Sequence, residues 1–398
     1  MPSEDLLRRY AELVVRVGLN LGEGQDLHLA CFVEQGPLVR AIARASYEAG
    51  ARRVDVFYSD PLVQRETIEH AADDVLDWTP PWLLTRLEYM NDRHAALLGL
   101  SGNPYPDAYA GLDGDRIAKA RAREGNRRSM EIVFYERTVN WCGVACPTEG
   151  WAERVFGDPD VERLWELVAH AVRLDEPDPV AAWRDHVARL GMRARALNER
   201  RFDSIRFRGP GTDLEVGLLP ASRWGGAEHE TIDGRRYVPN LPTEEVFTTP
   251  DPARVEGVVR ATRPFAPLPS VVVEGLELRF EAGRIVDVRA DRGADVVRGQ
   301  LESDEGACRL GEVALVDGHS RVGELDTIFF DVLFDENAAP HIAYGFALPE
   351  GLEPGADGGN QAETHTDFMI GGAEVDADGV DANGTEVAIL RGGEWVLA

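Results

Sequence analysis

Lysine is almost missing from this 398-residue chain: Lys119 is the only one among 42 basic residues, and the rest are arginine. Against them stand 70 acidic residues, for a formal net charge of −28 at pH 7. No basic stripe is left to neutralise phosphates, which argues against a nucleic-acid partner. Cysteine is scarce as well. Cys31, Cys142, Cys146 and Cys308 are too few and too scattered for a disulfide framework. Cys142 and Cys146 have C-x3-C spacing, but the next histidine, His170, falls in an expected helix, so no zinc set is completed. All four are read as small buried hydrophobes. No apolar run approaches the roughly 18–20 residues needed to cross a bilayer. The opening MPSEDLLRRYAEL is an amphipathic helix start with mixed charges, not a basic segment followed by an apolar one. The expectation is a cytoplasmic protein with no membrane association.

Several catalytic signatures are also missing. No G-x-G-x-x-G follows a strand, and no G-x-S-x-G elbow occurs. His229-Glu230-Thr231-Ile232-Asp233 ends in aspartate where a zincin helix needs histidine. EVDADGVDANGTE places Gly379 too early for an EF-hand and reads as an acidic turn. The excess of arginine over lysine is open to two readings, high genomic GC content or a surface that stays hydrated in concentrated salt. Salt adaptation is the favoured one.

What is present suits a soluble globular protein of about two domains. Residues 1–200 alternate helices and strands. Leu6, Tyr10, Leu13, Val14, Val17 and Leu21 recur at helical spacing. Asp26 to Phe32 reads as a strand, Pro37 to Ala49 as a helix stopped by Gly50, and RRVDVFYSD as a second strand, together a βαβ unit. His94 to Gly102 and Glu131 to Arg137 read as further buried strands around a helix near Arg116–Glu124. Two helices, Val161–Leu174 and Pro179–Arg200, lead out of this part. The expected fold is an α/β N-terminal domain with an open sheet. Residues 201–398 instead read as hairpins: Ser204–Arg208 with Asp213–Leu218, a second turning at Ala282-Gly283, and a third at Gly392-Gly393. One helix, roughly Ala294–Ser303, interrupts them. The C-terminal domain is therefore expected to be β-rich, mostly antiparallel and the carrier of the chemistry.

That chemistry lies in five residues set in or beside strand-like apolar runs. They are Glu245 in PTEEVFTTPD, Glu312 in LGEVALVD, His341 in FDENAAPHIAYG, and His365 with Asp367 in ETHTDFMIGG. A charged group in such a run is costly unless something pairs with it. In a strand, His365 and Asp367 point to one face and can converge on a metal. Each signal also has a plain structural reading. H-x-D arises on any solvated strand face, His341 follows a segment that can form an Asx turn, and Glu244 and Glu245 face opposite ways if extended. Together, three carboxylates and two imidazoles suit zinc, cobalt or manganese better than calcium. His319 is a weaker candidate near Glu312.

PTEEVFTTPD, GEVALVD, FDENAAPHIA and HTDFMIGG, in this order and separation, resemble the thermophilic-type metalloaminopeptidases (the M29 family). The RFRGPGTDLEVGL hairpin and the closing GTEVAILRGGEW are similar to that family as well. The resemblance implies a metal-dependent exopeptidase that removes N-terminal residues from short peptides. It implies two divalent metal ions (Zn, Co, Mn or Mg) and a homodimer with enclosed active sites. Carried over by motif, Glu245, Glu312, His341, His365 and Asp367 are the metal ligands. On charge grounds, Glu312 is the best candidate to bridge the metals or assist as base. One position departs from the pattern: a tyrosine is expected directly before the proline of HIAYGFALPEG, and Leu348 stands there. Tyr344 either substitutes for it or packs in the core, and packing is favoured. The alternatives are a non-catalytic or altered-specificity relative, or another dinuclear hydrolase such as a phosphoesterase.

Overall fold

The computed structural model describes residues 2–120, 122–268 and 271–398. The chain divides into two compact units, Met1–Asp185 with Glu228–Leu241, and His186–Ala227 with Pro242–Ala398.

In the first unit, strand β1 (Asp26–Phe32) leads through the helix Gly36–Glu48 into strand β2 (Arg53–Ser59), and the two strands pair in parallel. Leu38, Val39 and Ile42 recur at helical spacing and are buried, as are Leu27 and Leu29 on β1. Gly50 follows the helix at φ 93°, a left-handed stop that a side chain would strain. Strands β3 (Ala96–Ser101), β4 (Asn140–Ala145) and β5 (Asn240–Leu241) complete a parallel sheet ordered β2-β1-β3-β4-β5. This is the expected open α/β sheet. Among the described residues no helix is long and apolar enough to cross a membrane. All four cysteines are buried and free, and burial pushes the Cys31 thiol up to about 11.

One expected strand is not a strand. Residues Glu131–Glu136 form a wide helical turn that continues the helix Arg123–Met130, closed by the Arg137 amide donating to Ile132 O at 2.9 Å. The β-favouring composition of EIVFYE is overridden by packing, because the turn places Ile132 in a small core with Leu87, Met90, Ala95 and Val139. The strand actually used, NWCGVA, begins nine residues later at Asn140.

The second unit is built from antiparallel sheets. Eight strands form one sheet, which includes the three anticipated hairpins: Ser204–Gly209 with Thr212–Leu218, Glu277–Glu281 with Arg284–Arg289, and Glu386–Arg391 with Glu394–Trp395. The second and third turn through Ala282-Gly283 and Gly392-Gly393, each with both φ positive, the geometry a two-residue hairpin loop needs. A second sheet has the order β6 (Glu245–Thr248), β7 (Leu310–Val316), β8 (His341–Gly345) and β9 (His365–Met369). Every residue of β7 and β8 is buried. One face of this sheet carries Val313, Ile342, Tyr344 and Phe368, each fully buried. Such side chains contribute about 1.5–3 kcal/mol apiece and fix the register of the strands.

Gly345 ends β8 at φ 104° opposite His365, and a Cβ there would stand 2.0 Å from Thr364 O. Gly345→Ala should therefore cost about 2 kcal/mol or more, through backbone strain and the clash together. The cost would appear as a lowered Tm in thermal unfolding; an unchanged Tm would contradict this account of the strand end.

Candidate metal centre

The register of the four-stranded sheet determines where its polar residues go. Glu312 pairs with Ala343 and Ala343 with Asp367, while Ala314 pairs with His341, Gly345 with His365, and Glu245 with Val316. Paired residues share a face, as do residues two apart on one strand. Glu245, Glu312, His341, His365 and Asp367 therefore all project from the same face, opposite the apolar one. The other positions on that face near the middle of the sheet are small, Ala314, Ala343 and Gly345, which leaves room for the long side chains to converge.

They do converge, in two overlapping groups. Ligand-type atoms of Glu245, Glu312 and His341 lie within 4.8 Å of one another, and so do those of Glu312, His365 and Asp367. Glu312 belongs to both. His341 Nε2 lies 2.9 Å from Glu245 Oε2, and His365 Nε2 lies 3.2 Å from Glu312 Oε2 and 3.4 Å from Asp367 Oδ1. The far nitrogen of each ring is anchored to the main chain. His341 Nδ1 donates to Ala339 O at 3.2 Å and His365 Nδ1 to Phe346 O at 2.6 Å. A carbonyl only accepts, so each Nδ1 carries hydrogen and each Nε2 is presented to the carboxylates, the arrangement common to metal-ligating histidines.

The donor chemistry fits a cation. Burial alone would lower the His341 pKa, but the Glu245 carboxylate 2.9 Å away and the charges of Asp367 and Glu312 outweigh that and raise it to about 10. His365 is likewise raised well above its ordinary value, against burial, by Asp367 and Glu312. Burial raises the Glu312 carboxyl, and Glu245 and Asp367 add to this against the opposing effect of His365. Burial would raise Asp367 too, but His365 holds it below the usual range. With protons alone, this cluster balances its negative charge by protonating imidazoles and raising the proton affinity of buried carboxyls. Glu245 Oε2 makes no aligned hydrogen bond to any described group despite facing His341. Divalent cations shared among these oxygens and nitrogens would satisfy all of them.

A further carboxylate, Glu336, escaped sequence reasoning. It follows the short helix Val332–Asp335, and it lines the same cavity as His365 and Asp367. Burial, then the charges of Asp367 and Glu245, push its pKa well above the ordinary value. No local signal marked it, because FDEN is an acidic stretch that reads as a turn. Its neighbour Asn337 is fully buried and accepts the Glu244 amide at 2.6 Å, tying this loop to the start of β6.

The remaining candidates lie elsewhere. The Glu244 carboxylate sits 3.5 Å from His186 Nε2, away from the cluster, as strand alternation requires. His319 is exposed beside Glu394 and touches none of the five. Because His341–Gly345 is a strand, Tyr344 points opposite to His341. It is fully buried near Phe368, with its hydroxyl donating to Gln300 Oε1 at 2.5 Å. It packs. Leu348 precedes the turn Pro349–Gly351, and its carbonyl accepts the Thr249 hydroxyl at 2.7 Å.

Comparison with known proteins identifies the family. The profile of the family described as thermophilic metalloprotease (M29) matches residues 3–395. Aminopeptidase T of Thermus aquaticus is 44% identical over 403 residues, covering 98% of both chains. Aminopeptidase PepS of Streptococcus thermophilus is 35% identical over 406 residues, again covering 98% of each. The structure described as wild-type AmpT from Thermus thermophilus superposes with a TM-score of 0.91 at 42% identity, covering 99% of both chains. With a profile match over nearly its whole length and relatives this similar, the chain belongs to the M29 family of thermophilic metalloproteases.

Proposed function

We propose that this protein is a metal-dependent aminopeptidase that hydrolyses the first peptide bond of short peptides. The observation that carries the proposal is the position of Glu312, common to two buried groups of carboxylate and imidazole ligands. Glu245 and His341 would hold one divalent cation, His365 and Asp367 a second, and Glu312 would bridge them. Cations so held would polarise the scissile carbonyl and acidify an attacking water. Glu336, which lines the same cavity as His365 and Asp367, would take up the water's proton and return it to the leaving amine. The same acidic surroundings favour the free α-ammonium group of a peptide over an internal segment. No lysine or arginine is among the described residues lining the cavity, which weighs against a phosphoester substrate. A homodimer, a cytoplasmic location and salt adaptation complete the proposal. The homodimer is supported by the family resemblance, and salt adaptation by an acidic composition with one lysine.

Purified protein supplied with Zn, Co, Mn or Mg should release the N-terminal residue from aminoacyl anilides and short peptides. Glu312→Gln should lower kcat by about a hundredfold or more while leaving the circular dichroism spectrum intact. Turnover at the wild-type rate in that variant would remove Glu312 from the centre, and no turnover by the wild type with any metal would refute the enzyme.

Metal binding should also depend on pH in a fixed direction. In the metal-free protein His341 and His365 keep their protons at neutral pH, because their pKa values are raised, His341 to about 10. A cation must displace them, so binding releases protons and tightens as pH rises. Calorimetric titration with zinc in buffers of different ionisation enthalpy should show net proton release near pH 7; zero release would show that the imidazoles are not ligands.

A further inference from the structure

Asn337 joins three segments that border the candidate metal centre. It is fully buried, and its side chain makes three hydrogen bonds. Oδ1 accepts the Glu244 amide at 2.6 Å, while Nδ2 donates to Leu333 O at 3.1 Å and to Glu336 Oε1 at 3.3 Å. A main-chain amide only donates, and a carbonyl or carboxylate only accepts, so a single orientation of the side chain satisfies all three. Its main chain is fastened as well. The buried Ser320 hydroxyl donates to Asn337 O at 2.6 Å.

Each partner lies next to a group of the site. Glu244 immediately precedes the ligand Glu245 at the start of β6, and Ser320 follows β7, the strand of Glu312. Glu336 lines the cavity beside His365 and Asp367. The turn that carries Glu336 is also tied down before it, where the buried Asp335 carboxylate accepts the amides of Phe329 at 2.7 Å and Asp331 at 3.1 Å. The bond from Asn337 to Glu336 is the one with a chemical consequence. It engages one carboxylate oxygen and leaves the second for a proton.

We infer that Asn337 is a positioning residue for the hydrolysis: Nδ2 orients the Glu336 carboxylate, while Oδ1 fixes the main chain beside Glu245. The inference rests on the reading of Glu336 as the base of an aminopeptidase. The role calls for a neutral amide. An ionised aspartate at this position would accept from Glu244 but donate to neither Leu333 O nor Glu336, and its charge would repel the Glu336 carboxylate. A leucine of similar size would leave the buried Glu244 amide without a partner, at a cost to folding.

The test is a double-mutant cycle on the full chain with saturating zinc, using the aminoacyl p-nitroanilide that the wild type turns over fastest. Glu336→Gln should lower kcat about a hundredfold or more. Asn337→Asp keeps an acceptor for the Glu244 amide, so zinc content and KM should stay within about twofold of wild type while kcat falls about tenfold or more. Added to Glu336→Gln, it should cost at most about another twofold in kcat, because the group it positions is already gone. Asn337→Ala takes its place in the cycle if Asn337→Asp does not fold, with the same expectation. A loss that multiplies in the double variant, or a wild-type kcat in the single Asn337 variant, would overturn the positioning role and leave the aminopeptidase standing. An unchanged kcat in Glu336→Gln would overturn the base assignment and this inference with it. Absence of turnover by the wild type would overturn the aminopeptidase reading itself.

Discussion

The antiparallel register of one four-stranded sheet is the constraint on which the rest depends. Because Glu312, Ala343 and Asp367 lie in one row across three strands, with His341 and His365 two residues to either side and Glu245 opposite Val316, five ionisable groups are forced onto a single face. A slip of one residue in β8 would turn His341 into the apolar core and bring Ile342 and Tyr344 to the polar face. The register is held by the opposite face, where Val313, Ile342, Tyr344 and Phe368 are fully buried. The hydrophobic core thus fixes the candidate metal centre without contributing a side chain to it.

Concentrating carboxylates in this way is unfavourable by itself, and the surroundings show how the protein sustains it. Main-chain carbonyls at Ala339 and Phe346 orient both imidazoles, and Asn337 ties the Glu336 loop to the strand that carries Glu245. Small residues at 314, 343 and 345 keep the space open. The charges raise the proton affinity of both histidines, which is the energetic counterpart of a demand for cations.

Much of this was legible in the chain. Period-two alternation placed His365 and Asp367 together, and the hairpin turns at Ala282-Gly283 and Gly392-Gly393 fell where positive φ is needed. The open sheet of the first unit followed from its alternating pattern. Other features depended on distant packing. EIVFYER has the composition of a strand, but the preceding helix carries it into a helical turn whose Ile132 fills a local core. Glu336 gave no signal because its importance comes from neighbours more than 20 positions away in sequence, Asp367 and Glu245 among them. The return of residues 228–241 to the first unit's sheet likewise has no local signature, since β5 is two residues long.

The central claim is that Glu312 lies between two cations. Anomalous diffraction from crystals grown with cobalt or zinc tests it most directly. Two anomalous peaks should flank the Glu312 carboxylate, one next to Glu245 and His341 and the other next to His365 and Asp367. A single peak away from Glu312, or none at this face of the sheet under saturating metal, would contradict the account.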